Sequence, residues 1–202
     1  MNKYVYRAAA LALVMISSSS IYADETVTPL HAVSFDVCHR QGCAEHAVIQ
    51  LTADESQSIT LAFAGPAATA EQERAAIARA IGRFEQLIGP RTGTDRDLGG
   101  TFPGAFRAGQ MDCIDESNNT STYLHLLDKA GLLVWHDILT PSTRLPIPRG
   151  WWPHTSAVIR ERATGTKYVV DSWFEDNGKS PHIVELSVWK RGWKPAPQAP
   201  AQ

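Results

Sequence analysis

The first 23 residues constrain the rest most, because their pattern is that of a segment removed before folding. Lys3 and Arg7 make a short positive start, residues 8–16 are all apolar, and residues 17–20 are all serine. Ile21-Tyr22-Ala23 then puts a small residue just before a cut. This is the three-part layout of a secretory leader. The apolar run is too short to cross a bilayer as a helix, which takes about 20 residues, and no later stretch is apolar enough. The expectation is a periplasmic or secreted protein, cleaved after Ala23, with no membrane span once processed. Residues 24–193 have the length of one domain and can bury a core without metals. The proline- and alanine-rich stretch 194–202 reads as a disordered tail.

Export also decides how the cysteines are read. Cys38 and Cys43 bracket His39-Arg40-Gln41-Gly42, a polar turn with a glycine. Outside the cytoplasm such a pair is expected to form a disulfide. With His39 and His46 the same residues resemble a metal site, but compartment and short spacing favour the disulfide. Neither a metal nor another cofactor is expected. Cys113 is then the odd thiol, which calls for an explanation. The leader holds two of the 19 basic residues and none of the 21 acidic ones, so the mature chain has a formal charge of −4. Without a dense basic cluster, nucleic acid is excluded as a partner.

Residues 31–37 and 47–52 read as strands flanking the cysteine turn, followed by a third strand at 58–64. Ile77, Ile81, Phe84 and Ile88 fall at helical spacing over 70–88, with Gly89-Pro90 as the stop. A polar loop covers 91–110. A second helix is predicted from Cys113 or Ile114 to Lys129, with Asp112 as N-cap, Asp115 three residues later and Gly131 as stop. A strand at 132–139 leads into a proline-rich loop, 140–153, around Trp151 and Trp152, which either wall a substrate cleft or pack the loop down. Strands at 154–160 and 167–173 form a hairpin about the turn 162–165, and 180–189 is read as the last strand.

Three residues in this arrangement suit nucleophilic catalysis. Cys113 opens a helix, where backbone amides and the helix dipole favour a thiolate. Asp112, Asp115 and Glu116 oppose ionisation, so a cationic histidine is needed to offset them. In the hairpin, Glu161 facing Thr166 puts Ser156 opposite Asp171 and His154 diagonal to it on the same face, within side-chain reach. A thiol needs a base, and the base needs an acid to hold its tautomer. His154 and Asp171 fill those roles. His136-Asp137 is a weaker pair, since adjacent strand residues point to opposite faces.

The order Cys113, His154, Asp171 and its local settings resemble the transglutaminase-like superfamily, nearest to the bacterial transglutaminase-like cysteine proteinases. Gly109-Gln110-Met111-Asp112-Cys113-Ile114-Asp115 is similar to their Gly-Asp-Cys-x-Asp stretch. His154-Thr155-Ser156-Ala157-Val158 is similar to their His-x-x-x-Val strand start, and Val169-Val170-Asp171-Ser172 to their apolar-apolar-Asp. Met111 and Thr155 depart from the usual glycine and alanine. The resemblance spans about residues 71–174. It implies an α+β fold with a papain-like, transglutaminase-like core, the catalytic helix packed on an antiparallel sheet. It also implies acyl transfer from a protein or peptide substrate, by hydrolysis as a peptidase or amidase, or to an amine as a crosslinking enzyme. By analogy with an upstream glutamine in papain-like enzymes, Gln110 is the side-chain candidate for the oxyanion hole, beside the Cys113 backbone amide. A secreted binding module on the same scaffold is the non-enzymatic alternative.

Overall fold

In the computed structural model, which describes residues 29–63, 65, 67–102, 107–145 and 153–196, the cysteine turn is the tip of a hairpin. Trp151, Trp152, the leader and most of the tail lie outside the described residues. Strand β1 (Ser34–His39) pairs antiparallel with β2 (Glu45–Gln50), and Cys38 is disulfide-bonded to Cys43 across the turn, their Cα atoms 4.7 Å apart. Phe35 and Val37 point into the core while Asp36 between them faces out.

Where a strand is expected at 58–64, residues 58–63 are instead helical. Helix α1 (Ala53–Thr60) is followed by a single 3-10 turn, Leu61–Phe63. Its start is a capping box: the Thr52 hydroxyl accepts from Glu55 N–H, and the Glu55 carboxylate accepts from Thr52 N–H. Two orphan amides are satisfied at once, which outweighs the β-leaning side chains that follow.

Helix α2 (Ala70–Thr92) buries Ile77, Ile81, Phe84 and Ile88 as the spacing predicts, but runs through Gly89-Pro90. A proline in the last turn removes one hydrogen bond, and the packed apolar face sustains the helix past it. Termination falls at Gly93, left-handed at φ 73°, whose N–H donates to the Gly89 carbonyl. Gly89 serves packing: a Cβ there would meet the Asn177 amide nitrogen at 2.9 Å.

Helix α3 (Cys113–Lys129) has its predicted bounds and its Asp112–Asp115 capping box. Strands β3 (His136–Arg144), β4 (His154–Glu161), β5 (Lys167–Asp171) and β6 (His182–Glu185) form one antiparallel sheet in that order. β3 starts later than expected and continues through Pro141. The Glu73 carboxylate accepts the N–H groups of Val134 and Trp135, holding that segment before the strand begins. Pro141 falls at a register shift between Leu139 and Ser142 on an edge strand, where a missing donor is tolerated. The β4–β5 register is the predicted one, with Arg160 opposite Lys167 and Ala157 opposite Val170. The last predicted strand breaks after β6 into a short helix, α4 (Leu186–Lys190), which folds Trp189 onto Val158 and Val169.

The molecule is thus α+β, with helices against antiparallel sheets. The main core joins α2, α3 and the sheet face bearing Ala157, Ile159 and Val170. Phe84 stacks on Tyr123 at 4.5 Å, and Phe35 meets both edge-on at 6.3 Å. Fully burying such a ring contributes about 1.5–3 kcal/mol.

Candidate active site

The hairpin brings His154 and Asp171 together, a contact that the register allows. His154 Nε2 lies 2.8 Å from one Asp171 oxygen and 3.1 Å from the other, with the two residues 4% and 1% exposed. The same carboxylate accepts from Trp189 Nε1 at 2.7 Å. Trp173, Phe174 and Trp189 surround the imidazole, with ring centroids at 4.6, 5.3 and 5.5 Å. One nitrogen of His154 is therefore committed to the acid. The other, Nδ1, is buried and has no hydrogen-bond partner among the described residues.

Cys113 stands at the first position of α3, is 6% exposed and is the free cysteine. The backbone N–H of Thr155, the residue that follows His154, acts on the Cys113 thiol and favours its ionised form. The sequence sets a helix start that favours the thiolate against neighbouring acids that oppose it, and the opposing side prevails. Burial pushes the Cys113 thiol up, and the charges of Asp112 and Asp171 add to it, against the Thr155 and Cys113 amides that pull it down. Desolvation in a packed site outweighs the helix terminus.

The acids around the thiol are each held. Asp112 accepts from the N–H groups of Ile114, Asp115 and Gly42; Asp115 accepts from those of Asp112 and Cys43. Glu116 accepts from the Ser172 hydroxyl at 2.7 Å, tying α3 to the residue after Asp171, and burial drives its carboxyl up to about 8. Asp97 accepts from Met111 N–H at 2.9 Å and is pushed by burial up to about 7.

Gln110 is committed elsewhere than the thiol. Its amide donates to the Arg96 carbonyl and accepts from Leu98 N–H and the Thr101 hydroxyl, bracing the loop before α3. An open cleft of about 720 Å³ has Gln110 in its wall along with Arg40, Thr94 and Arg107, but not Cys113, His154 or Asp171. His39 pairs with Glu45, and no metal-holding group of three His, Cys, Asp or Glu occurs among the described residues. His136 and Asp137 do face opposite ways: His136 is fully buried against Glu73, while Asp137 pairs with Arg160 and Arg162 at the surface.

Two residues beside the pair escape the sequence. Trp189 is one. Arg144 is the other: it faces His154 across β3–β4, is 7% exposed, donates to the Trp189 and Trp193 carbonyls, and lies 4.6 Å over the Trp189 ring. Burial lowers its guanidinium, while Asp171 and Cys113 hold it charged. An arginine in a proline-rich stretch read as loop carried the only signal. Trp189, 18 residues beyond Asp171, carried none. Comparison with models of protein families, with curated proteins and with solved structures finds no match for this chain.

Proposed function

We propose that this protein is an exported enzyme in which Cys113 attacks a peptide or amide carbonyl, most simply a peptidase or amidase. His154 takes the thiol proton and returns it to the leaving amine. Asp171 holds the imidazole, and water releases the acyl group from Cys113. The observation that carries the reading is the buried His154–Asp171 pair, one imidazole nitrogen anchored and the other open, on the strand whose Thr155 amide acts on a thiol at a helix start. A base oriented by an acid is the arrangement that thiol acylation requires. The Cys113 backbone amide is the natural oxyanion donor, since the Gln110 amide is engaged by its own loop. No cofactor enters the scheme. Transfer to an amine instead of water would use the same residues and make the enzyme a crosslinker.

A specific observation favours a second reading. The thiol is buried and its ionisation is disfavoured, as in an inert structural cysteine. The domain would then be a secreted binding module. An electrophilic peptide probe that traps acylating thiols separates the two. Rapid labelling of Cys113 that collapses in His154→Ala is expected for the enzyme; equal, slow labelling of both proteins would leave the binding module. The export step is checked by the intact mass of protein from its native host, which should begin at Asp24.

A further inference from the structure

The tip of the cysteine hairpin is built in an unfavourable conformation. Arg40, Gln41, Gly42 and Cys43 follow one another with φ between 57° and 67°. Each non-glycine residue there is disfavoured by about 1–2 kcal/mol. Four such residues in a row turn successive backbone N–H groups the same way and make a concave site for anions. Its anions are on α3. Gly42 N–H donates to Asp112 Oδ2 at 3.0 Å, Cys43 N–H to Asp115 Oδ1 at 2.8 Å, and Gln41 N–H also reaches Asp115. The base of the loop is docked as well: the Asn119 amide accepts from Cys38 N–H at 2.6 Å and donates to the Cys38 carbonyl at 2.9 Å.

These two carboxylates are the residue before Cys113 and the second after it, and they are the two halves of the capping box that begins α3 at Cys113. One covalently closed loop therefore grips both acids flanking the thiol. The other titratable or charged groups around this helix start are Asp97 on the loop before it, Glu116 on the helix itself, Arg144 from β3, His154 from β4 and Asp171 from β5.

We propose that the Cys38–Cys43 loop is a positioning element for Cys113: its amides bind Asp112 and Asp115, offset their charge, and keep the thiol reactive at neutral pH only while the disulfide is closed. With the loop open, the Gly42 and Cys43 amides leave, and the two carboxylates keep only the amides of their own helix start to offset their charge beside the sulfur. The inference takes Cys113 to be a nucleophile, as proposed above, but concerns its ionisation and needs no turnover.

The test is the pH dependence of Cys113 alkylation by iodoacetamide, read by mass on the mature protein. Cys38→Ser/Cys43→Ser opens the loop and leaves Cys113 as the single thiol. Its alkylation midpoint is expected to rise by about one pH unit, a loss of about tenfold in rate at pH 7. In an Asp112→Asn/Asp115→Asn background, where asparagine still caps the helix, opening the loop should leave the midpoint in place. An unchanged midpoint in the first comparison overturns the proposal, as does an equal shift in the second, which would trace the effect to general loosening. Should the serine pair fail to fold, Gly42→Ala carries the test with the disulfide intact. A Cβ there meets nothing within 4 Å, so only the left-handed backbone is penalised, and a smaller shift in the same direction is expected; none would overturn the proposal. A shifted midpoint with no peptide-probe labelling would sink the enzyme reading alone. Normal probe labelling with no shift would sink the loop's role alone.

Discussion

At Cys113 the helix terminus and burial act in opposite directions, and burial wins. Reactivity then depends on a nearby cation, which makes His154 the residue to change first. His154→Ala should raise the midpoint of Cys113 alkylation and cut peptide-probe labelling by about 100-fold or more, the range of a positioned base. An unmoved midpoint would place the imidazole outside the thiol's electrostatic reach. Trp189→Phe is subtler. It keeps a buried ring but removes the Nε1–H bond to Asp171 Oδ2, leaving His154 as that carboxylate's main anchor. Labelling at pH 7 should fall about tenfold, the scale of one hydrogen bond to a charged group, with the His154 dependence retained. Unchanged labelling would reduce Trp189 to packing.

Among the elements, α2 and β3 are joined by a polar contact inside an apolar core. The Glu73 carboxylate, fully buried, accepts from Val134 N–H and Trp135 N–H and meets His136 Nδ1 at 2.8 Å. Arg74, the next residue, reaches His136 Nε2 and Glu161. Removing Glu73 strands two backbone donors and a buried imidazole. Glu73→Ala is therefore expected to cost about 3–5 kcal/mol in urea unfolding, with Glu73→Gln recovering part of it. A loss below about 1 kcal/mol would mean that water reaches these donors. The same element scale shows where local signals compete. Thr52 and Glu55 spell out the cap of α1, yet the β-leaning residues after it suggest a strand. The cap prevails because it satisfies specific amides, whereas β preference depends on a sheet partner that this segment does not have.

For the whole molecule, the buried carboxyls set the response to pH. Glu85, Asp97 and Glu116 are all raised, chiefly by burial; Asp97 reaches about 7 and Glu116 about 8. In the unfolded chain these groups ionise near about 4. Between those values the folded state holds protons that the unfolded state has lost, so stability falls as pH rises. The contributions of Asp97 and Glu116 are fully present below about pH 4 and are lost as pH climbs through 7 to 8. The melting temperature should decline from pH 5 to pH 8, and Glu116→Gln, which can still accept from Ser172, should flatten that decline. A variant with the wild-type slope would show that Glu116 is ionised in the folded protein.

The pattern of side chains along the chain was enough to determine α3, the buried face of α2, the cysteine hairpin and the β4–β5 register, because each rests on contacts a few residues apart or on a short turn. Counting along that register put His154 diagonal to Asp171 on one face, within reach; the contact itself is made by the tertiary packing around the two side chains. What remained hidden depends on segments distant in sequence. Arg144 faces His154 only because β3 runs on past Pro141 at a sheet edge, and Trp189 reaches Asp171 only because the chain turns from β6 into α4. The direction of the Cys113 shift was likewise undecidable from its neighbours in sequence. A helix start favours the thiolate locally, but how much water the site excludes is decided by the sheet, the hairpin and the helix closing around it.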